Sequence, residues 1–461
     1  MEQQNKHLVL DTNILLLDAN NLTILANDET TIVLPETVIN ELDSKKSVPG
    51  ELGYQARSFG RLIARGAIMK VFKQGNLVIT PVTLEDGTHV HIASASSYSF
   101  DTTSVDPSTL NDRKIIDVAL EYNKYYESVT YMSNDVMCRI TALSLGLPAI
   151  DLKITEKTSY EFLKELDIPS DVFSSLHNTP IHEVNPDHQP ENFNYRFHCP
   201  ELGYDKLATV SRSGLIDVIG KTTEAELRRQ DVSPVNSEQL LLSKAICDPF
   251  IDIIVVDSLA GSGKTITAIS NAMKLIKQNN PFEGILYIRA SINDVEQIEE
   301  VGFLPGLEEK FAGFYLPLRD SLEFIARSNS KQSKLKGLEY EEFIEQQVDK
   351  LMSDYNITAM TGLNLRGRTF TNKIIIIDEV QGQSKASLQK MLTRVGKDCK
   401  LILTGSNNQI DSPYVTKYNN GLSVLLNECL KPQDLISLYA IKLSRVIRSP
   451  MAEFAESAFT K

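Results

Sequence analysis

A glycine-rich loop between an apolar stretch and a helical pattern constrains the fold of this chain most strongly. Residues 251–257 have the β-branched composition of a buried strand, and the loop that follows contains Gly261, Gly263, Lys264 and Thr265. In a strand, loop and helix of this kind, backbone N–H groups converge on phosphate oxygens at the positive end of the helix dipole. The segment predicts a P-loop, in which Lys264 reaches the β- and γ-phosphates and the Thr265 hydroxyl binds Mg²⁺.

The nucleotide contacts predicted for this loop are Ala260, Gly261, Ser262, Gly263, Lys264 and Thr265. The pattern departs from its usual form at Ser258, which stands where a glycine is expected. Serine fits the turn only with a negative φ, so we expect slightly altered loop geometry. The alternative interpretation is a chance GSGKT sequence at the start of an ordinary helix.

A second predicted strand supplies the other half of a nucleotide site. Residues 373–377 are followed by Asp378, Glu379 and, two positions later, Gln381. Apolar strands are typical of a central parallel sheet, and carboxylates at their carboxyl ends lie where such sheets bind ligands. We expect Asp378 to hold Mg²⁺ and Glu379 to orient or deprotonate the attacking water. The alternative is an acidic pair that only caps a helix.

Four further side chains are weaker candidates for the same site. Gln409 follows the predicted strand 400–404 and would read the γ-phosphate, while Gln239 would offer its amide to an adenine edge. Arg445 and Arg448 are candidates for a charge-stabilising arginine, acting in cis or from a neighbouring subunit. The alternatives are a surface glutamine and solvated arginines on a helix face.

Acids also follow predicted strands or lie on predicted helices in the first 150 residues. The four candidates are Asp11, Glu41, Asp112 and Asp135. In a parallel sheet these positions project towards one edge, where the carboxylates would repel each other unless a divalent cation neutralised them. Two-metal activation of water is the usual chemistry for cutting a phosphodiester. The rival ligands are Asp43 and Asp117. The alternative is a set of helix caps and surface charges.

Composition excludes several classes of protein. The 461 residues are 42% hydrophobic and 23% charged, which is typical of a soluble globular chain. The formal net charge of -13 argues against holding duplex nucleic acid by bulk charge. Five scattered cysteines without a CxxC pair predict neither disulfides nor zinc, and no apolar run is long enough to span a membrane, so a cytoplasmic location is expected. His89 and His91 are expected to be exposed rather than to bind metal.

The chain divides by pattern into three parts. Residues 1–152 predict an α/β domain with a parallel sheet, interrupted by a surface loop at 94–111. Residues 153–235 predict a linker with a small β-hairpin element of uncertain allegiance, and residues 236–461 a second α/β domain. The predicted strands are 7–10, 31–34, 129–132, 251–257, 284–288, 373–378 and 400–404.

The chain from residue 236 to about 455 resembles the PhoH-like ATPases, a P-loop family related to superfamily 1 helicases. The matching segments are AGSGKT, VGFLPG (301–306), LRGRTF (365–370), IIIIDEVQ, TGSNNQID and NGL (420–422). This resemblance implies a RecA-like P-loop NTPase domain and places Arg366 and Arg368 near the nucleotide or the nucleic-acid path. Ser406 stands where the family has aspartate, which bears on γ-phosphate sensing, and Ser449 where histidine is common.

Residues 7–150 resemble a PIN-domain nuclease. The matching pieces are LDTN, NELD and SND. The resemblance implies that Asp11, Glu41, Asp112 and Asp135 are metal ligands and catalytic residues, with Mg²⁺ or Mn²⁺ as the metal.

Together the two resemblances imply an ATP-dependent enzyme in which a helicase-like motor moves RNA and a ribonuclease domain cuts it. ATP and Mg²⁺ are the implied cofactors, and helicase-like relatives suggest a homo-oligomer such as a hexameric ring. Loop residues Phe314 and Tyr315 are candidates for stacking against the strand. Two alternatives are open: an ATP-binding switch with a structural PIN domain, and a nuclease-motor that acts on single-stranded DNA.

Overall fold

A computed structural model describes residues 6–26, 30–48, 50–152, 161–186, 193–278, 281–290, 315–330, 335–361, 368–410, 415, 420–431 and 433–459. The chain divides into two compact units, residues 1–156 and 157–461, which are described separately. The predictions made for 301–306, Phe314, Arg366 and Asp411 fall outside the described residues. Among the helices in the described ranges, none is long and apolar enough to cross a membrane.

The first unit contains eight strands and six helices in its described part. They are β1 (Lys6–Leu10), α1 (Thr12–Leu17), α2 (Asn21–Ile24), β2 (Thr30–Pro35), α3 (Glu36–Lys45), α4 (Gly50–Ala64), β3 (Ala67–Ile68), β4 (Phe72–Gln74), β5 (Leu77–Thr83), β6 (His89–Ala95), α5 (Leu110–Asn123), β7 (Val129–Met132), α6 (Val136–Ser144) and β8 (Ala149–Ile150). Helices alternate with strands along most of this unit, as the sequence predicts.

A parallel core of strands carries the candidate acids of this unit. β1 pairs in parallel with β2 and β7, β2 with β6, and β7 with β8. Antiparallel pairs with β5 add a ribbon that the sequence did not predict. Val9, Leu10, Ile32 and Tyr131 are fully buried in the core. The carboxyl ends of β1 and β7 meet at one edge of the sheet, so the residues that follow them lie there.

The two rival ligands of this unit, Asp117 and Asp43, have other partners in the structure. Asp117 is buried and accepts a hydrogen bond of 3.0 Å from the Ser99 backbone N–H, which anchors the segment between β6 and α5. Asp43 is exposed and pairs with Lys46 at 2.5 Å. His89 is exposed, as expected, but the expectation for His91 is wrong.

His91 is half-buried because β6 packs against α5. Its Nδ1 lies 2.7 Å from the Tyr122 hydroxyl, which in turn lies 3.1 Å from Nδ1 of His7. Burial, followed by the nearby imidazoles of His7 and His89, lowers the pKa of His91 to about 4. The His91 ring therefore belongs to a neutral buried cluster at neutral pH.

The second unit holds the remaining elements of the described chain. They are β9 (Leu163–Asp167), α7 (Ser170–Ser175), α8 (Ile181–Val184), β10 (Asn194–Cys199), β11 (Tyr204–Val210), β12 (Ile216–Val218), α9 (Lys221–Arg228), α10 (Ser237–Cys247), β13 (Ile253–Ser258), α11 (Lys264–Lys277), β14 (Gly284–Arg289), α12 (Leu316–Asn329), α13 (Leu338–Asp354), β15 (Ile357–Thr361), β16 (Lys373–Asp378), α14 (Lys385–Leu392), β17 (Lys400–Gly405), α15 (Gly421–Glu428), β18 (Leu438–Leu443) and α16 (Pro450–Phe459).

A six-stranded sheet with the order β15-β14-β16-β17-β13-β18 forms the centre of this unit. Every pairing in it is parallel. Helices connect the strands, and Ile374–Ile377 of β16 are almost completely buried, which explains their uninterrupted apolar sequence. The carboxyl ends of β13, β16 and β17 lie side by side and bring the predicted nucleotide residues to one edge.

The small β element of residues 157–235 packs onto this central sheet. Its strand order is β12-β11-β10-β9, with β9 parallel to β10 and the other pairs antiparallel. Tyr195 and Phe197 of β10 share a buried cluster with Val255 and Leu403 of the central sheet. The small β element, whose domain the sequence left uncertain, therefore belongs to the second unit.

Candidate active sites

The loop between β13 and α11 has the backbone geometry that its glycines predict. Gly261 and Gly263 have φ of 72° and 82°, in the left-handed region that favours glycine. A Cβ on Gly263 would lie 2.9 Å from Nε2 of Gln239, so the position also lacks room for a side chain. Ser258 is the last residue of β13 and donates from its hydroxyl to the Gly405 carbonyl at 3.1 Å. Ser258 thus remains in the strand and is not part of the turn.

Asp378 lies at the centre of a hydrogen-bond network at the end of β16. It is only 1% exposed and accepts hydrogen bonds from the hydroxyls of Thr265 (3.0 Å), Tyr287 (2.9 Å) and Thr404. These hydroxyls come from α11, β14 and β17, so three elements fix the position of the carboxylate. Burial and the neighbouring Asp378 raise the pKa of Tyr287, which keeps its hydroxyl protonated as a donor.

The chemistry of this network fits a magnesium ion. A hydroxyl oxygen and a carboxylate, which are hard oxygen ligands of the kind that Mg²⁺ prefers, lie next to each other at Thr265 and Asp378. Such a cation would replace their mutual hydrogen bond with shared coordination. The two residues predicted as ligands from the sequence are therefore adjacent.

Glu379 and Lys264 form an ion pair across the same site. Nζ of Lys264 lies 3.4 Å from Oε1 of Glu379, and Nε2 of Gln381 donates to Oε2 of Glu379 at 2.6 Å. Glu379 has φ of 62° and ψ of 40°, a left-handed conformation that is costly for a residue with a Cβ. Strain of this kind persists only where the surrounding structure fixes the residue, and here Lys264 and Gln381 both hold its carboxylate.

Gln381 connects Glu379 to the tip of β17. Its Oε1 accepts from the Ser406 backbone N–H at 3.0 Å, and its Nε2 also donates to the Gln409 carbonyl at 2.9 Å. Gln409 therefore contributes its backbone to the network, while its side chain is exposed. The Ser406 hydroxyl is buried, and in the described part of the chain it has no hydrogen-bond partner.

Gln239 braces the P-loop from the side of α10. Its Nε2 donates to the Ser262 carbonyl at 2.9 Å, and its Oε1 accepts from the Val235 backbone N–H at 3.0 Å. Because the side chain is only 3% exposed, its amide fixes the loop and the segment before α10. A hydrogen bond from Gln239 to an adenine edge would compete with these contacts.

A cavity of about 790 Å³ lies against these residues. Its lining comes from the segment before α10, α10, the P-loop, the start of α11, α12, the end of β16 and the segment after β18. The residues are Val232, Ser233, Val235, Gln239, Gly261, Ser262, Gly263, Lys264, Thr265, Ile266, Pro317, Asp320, Ser321, Phe324, Asp378, Glu379, Ile447 and Arg448. Ala260 belongs to the loop but is not among these lining residues. The Arg448 backbone N–H donates to the Gly261 carbonyl at 3.1 Å, so the backbone of this arginine contacts the P-loop of its own chain.

Asp11 is the most deeply buried of the four candidate acids in the first unit. Its carboxylate accepts from Thr12 N and Asn13 Nδ2, each at 2.7 Å, and from the Ser133 hydroxyl at 2.5 Å. Burial raises the pKa of Asp11 above its ordinary value, against the opposing effect of these hydrogen bonds, and the charge of Glu41 adds to the rise. Asp11 thus joins the end of β1 to the end of β7 through Ser133.

The other three acids surround Asp11 at this edge. Glu41 on α3 accepts hydrogen bonds from the Thr12 hydroxyl and from Asn111 Nδ2, the latter at 2.7 Å. Asp135 caps α6 by accepting from the Met137 N–H at 2.7 Å. Burial, then the charges of Asp11 and Glu41, and finally that of Asp135 raise the pKa of Asp112. The four acids are therefore close enough to interact electrostatically.

The four acids do not form a ready-made metal site. Within the described ranges, no group of three or more His, Cys, Asp or Glu side chains is arranged to hold a metal ion. Oxygen donors and mutual repulsion fit a divalent cation. The four acids thus lie close enough for their charges to interact, but they do not form a complete set of positioned metal ligands.

Comparison with known proteins identifies two families in the chain. The family described as PIN domain matches residues 8–153, and the family described as PhoH-like protein matches residues 231–460. The chain is a PIN domain followed by a PhoH-like domain. Proteins named PhoH2 from Bacillus subtilis and Thermobispora bispora share 27% and 26% identity with it over 98% and 97% of its length, which is 99% and 95% of theirs. A PhoH-like protein of Bacillus subtilis is 32% identical over 46% of this chain and 59% of that protein.

Some residues of the PhoH-like site gave no usable signal in the sequence. Tyr287 and Thr404 lie within apolar strands, and nothing in their spacing shows that they face Asp378. The strand register in the structure explains this contact for Tyr287. In the parallel β14–β16 ladder Asp378 pairs with Arg289, which lies two positions after Tyr287. Arg445, by contrast, does not line the nucleotide cavity and faces a second cavity of about 800 Å³.

In the PIN domain, the motif residues Asn13 and Ser133 act alongside the acids. Asn13 bridges Asp11 and Ser133, with its Nδ2 3.0 Å from the Ser133 hydroxyl. Cys138 also lies beside Asp112, and burial together with the charges of Asp112 and Asp11 raises the pKa of its thiol to about 12. This thiol stays protonated at neutral pH and does not act as a metal-binding thiolate in this state.

Proposed function

We propose that this protein is an ATP-dependent RNA-processing enzyme, in which ATP hydrolysis by the PhoH-like domain is coupled to metal-dependent cleavage of RNA by the PIN domain. The observation that carries the proposal is the meeting of Lys264, Thr265, Asp378 and Glu379 at one wall of a nucleotide-sized cavity. Phosphate-binding lysine, magnesium ligands and a carboxylate near the γ-phosphate position are the parts that ATP hydrolysis needs.

ATP binding would change the partners of Lys264 and Glu379. The triphosphate competes for Lys264, and its arrival breaks the 3.4 Å ion pair with Glu379. The Glu379 carboxylate, still held by Gln381, is then free to accept a proton from water or to orient it. A bound Mg²⁺ supplies charge neutralisation at the phosphates, and Thr265 and Asp378 would hold it. Since Gln381 also contacts Ser406 and Gln409, a change at Glu379 reaches the tip of β17.

The PIN domain supplies the cleavage site of the proposal. Asp11, Glu41, Asp112 and Asp135 would hold Mg²⁺ or Mn²⁺, which when bound activates water and stabilises the leaving oxygen. Asn13 and Ser133 orient Asp11 through the hydrogen bonds described above. Burial, followed by the charges of Asp11 and Glu41, raises the pKa of Asp112, and a bound cation would neutralise these neighbouring charges.

The proposal includes a homo-oligomer, such as a hexameric ring, in the cytoplasm. Arg448 contacts the P-loop of its own chain through its backbone, which supports a role for Arg448 in cis. Sedimentation of the protein with and without a non-hydrolysable ATP analogue tests whether subunits assemble and whether nucleotide controls assembly.

A second candidate function is an ATP-binding switch with a structural PIN domain. The observation that favours it is Ser406, whose buried hydroxyl stands where PhoH-like relatives have an aspartate. A hydroxyl is uncharged and a much weaker base than a carboxylate, so a step that needs the carboxylate at this position would be slower.

ATPase assays with single-stranded RNA, with single-stranded DNA of matched sequence and with neither separate these functions. The proposed enzyme shows ATP turnover that RNA stimulates, together with Mn²⁺-dependent cleavage of the RNA. Very slow turnover that no strand stimulates contradicts the motor and favours the switch. Stimulation and cleavage confined to DNA would identify a DNA-acting nuclease-motor instead.

A further inference from the structure

The small four-stranded sheet and the start of α10 enclose a second cavity of about 800 Å³. Its walls come from β11, β12, α9, α10 and the segment after β18, and it shares a single lining residue, Val235, with the nucleotide cavity. The proposed ATPase and nuclease chemistry uses none of the small sheet. This cavity therefore has no role yet in the function proposed above.

The charges around this cavity are positive in a chain whose net charge is -13. Four cations and two acids line it: Lys206, Lys221, Arg228, Arg445, Asp205 and Glu224. Both acids have cationic or ionisable partners, since Asp205 lies 2.6 Å from His198 and Glu224 lies 2.9 Å from Arg228. Lys221 and Arg445 are exposed, and no ion pair involves either of them in the described part of the chain.

The N-terminus of α9 adds to this positive potential. Lys221 is its first residue, and Gly220 at the N-cap provides no side-chain acceptor for the first N–H groups. The positive end of a helix dipole attracts anions, and Lys221 reinforces that attraction. Two free cations and a helix N-terminus at one cavity are suited to phosphate groups.

An exposed aromatic ring completes the cavity. Tyr204, the first residue of β11, is 67% exposed although its ring is large and mostly apolar. Phe173 also lines the cavity and is covered by Lys206, whose Nζ lies 4.3 Å from the ring centroid. Exposed aromatic rings beside cations provide stacking surfaces for unpaired bases, while the cations follow the backbone.

We propose that this cavity binds single-stranded nucleic acid, with a base stacked on Tyr204 and phosphates held by Lys221 and Arg445. The inference rests on the proposed function, for which it identifies a strand-binding surface and predicts RNA as the strand. Stacking and phosphate contacts alone do not distinguish RNA from DNA. Both strands are therefore used in the test.

Val235 lines both cavities and so connects the strand-binding cavity to the nucleotide site. Arg228, which lines the strand-binding cavity, donates to the Pro234 carbonyl at 2.5 Å. The next residue, Val235, donates to Gln239, and Gln239 donates to the Ser262 carbonyl in the P-loop. Strand binding that shifts residues 234–235 will therefore move the brace on the P-loop, and the bound strand stimulates ATP turnover.

Fluorescence anisotropy of labelled 12-residue oligo(U) and oligo(dT) tests the proposal in the full-length protein, with EDTA present to prevent cleavage. Tyr204→Ser is expected to weaken oligo(U) binding about tenfold, whereas Tyr204→Phe keeps the stacking ring and binds like the wild type. Lys221→Ala is expected to reduce the slope of log K against log salt by about 0.7, the value for one phosphate contact on a single strand. Lys350→Ala, an exposed lysine on α13, is the charge-matched control and leaves binding unchanged.

ATPase rates provide the second measurement on the same variants. Basal turnover of Tyr204→Ser and Lys221→Ala is expected to equal that of the wild type, while stimulation by oligo(U) requires at least about tenfold more RNA. If both variants bind and respond like the wild type, the cavity is not the strand site, although the proposed function stands. If the wild type binds neither oligonucleotide, the cavity proposal and the proposed function both fail. Binding of oligo(dT) but not oligo(U) overturns the assignment to RNA.

Discussion

At the end of β16, Asp378 is one carboxylate that accepts hydrogen bonds from hydroxyls on three other elements. At the edge of the first sheet, Asp11 and Glu41 also accept hydrogen bonds from other elements, through Ser133, Thr12 and Asn111, but there four acids lie close enough for their charges to interact. The nucleotide site is cross-linked by neutral donors and one ion pair, which hold its side chains next to one another. The PIN acids carry like charges, so they do not close into a ligand set by themselves. The comparison sets a preassembled nucleotide site beside a group of four PIN-domain acids that lacks a complete set of positioned metal ligands.

The largest expected effect is that of Lys264→Ala on the preassembled site. Loss of the ammonium group removes its contact with the phosphates and should reduce ATP turnover by at least about 100-fold. Cleavage of a short oligonucleotide by the PIN domain should continue, because no phosphate of ATP takes part in it. Steady-state ATPase and gel-based cleavage assays on the same preparation measure both. Unchanged ATP turnover would show that the P-loop assignment is wrong.

The matching change in the PIN domain is Asp11→Asn. An amide keeps the shape of the side chain but removes the charge that would attract the cation, so Mn²⁺-dependent cleavage should fall by about 100-fold. ATP turnover should match the wild type, which serves as the internal control for folding. A variant that cuts at the wild-type rate would exclude Asp11 as a metal ligand.

A smaller effect is expected for Tyr287→Phe, which removes one of the three hydroxyl donors to Asp378. Partners that orient a metal ligand typically contribute about tenfold to metal affinity, so the Mg²⁺ concentration for half-maximal ATP turnover should rise about tenfold. Tyr439→Phe is the matched control, because Tyr439 is equally buried but donates to Asn194 at 2.9 Å. Equal Mg²⁺ dependence of the two variants would show that Tyr287 does not contribute to Mg²⁺ binding.

The smallest effects concern stability and should have opposite signs in the two sites. In EDTA, Asp112→Asn relieves repulsion from Asp11 and Glu41 and should raise the free energy of unfolding by about 0.5 kcal/mol, a value that allows for solvent screening at this partly exposed position. Asp378→Asn replaces a carboxylate that accepts several hydrogen bonds by an amide, and it should lower the free energy of unfolding by about 1 to 2 kcal/mol. Urea unfolding monitored for each domain measures both changes. If both variants changed the free energy of unfolding in the same direction, the contrast between the nucleotide site and the PIN acids would be wrong.

Sequence motifs were sufficient for the parts of the sites that depend on local order along the chain. The P-loop requires two glycines, a lysine and a threonine in one short segment, and Asp378 directly ends an apolar strand, so both are readable from the sequence. The fold class follows in the same way from alternating strands and helices. The bounds 373–378 were predicted as they occur in the structure.

Contacts between distant segments could not be predicted from the sequence. Tyr287 reaches Asp378 only because β14 lies beside β16, and buried parallel strands lack the alternating pattern that would reveal which residues share a face. β18 was missed for a related reason, since a short apolar run does not distinguish a buried strand from a buried helix. The half-burial of His91 depends on α5, whose position no local pattern specifies.

Anomalous scattering from crystals grown with Mn²⁺ and a non-hydrolysable ATP analogue tests the central claim most directly. The account predicts one manganese peak beside Thr265 and Asp378, where the ligands are already adjacent. It predicts a second peak among Asp11, Glu41, Asp112 and Asp135, with their carboxylates drawn together around the ion. A structure with the first peak, full occupancy of nucleotide and no manganese among the four PIN acids would contradict the proposed nuclease site.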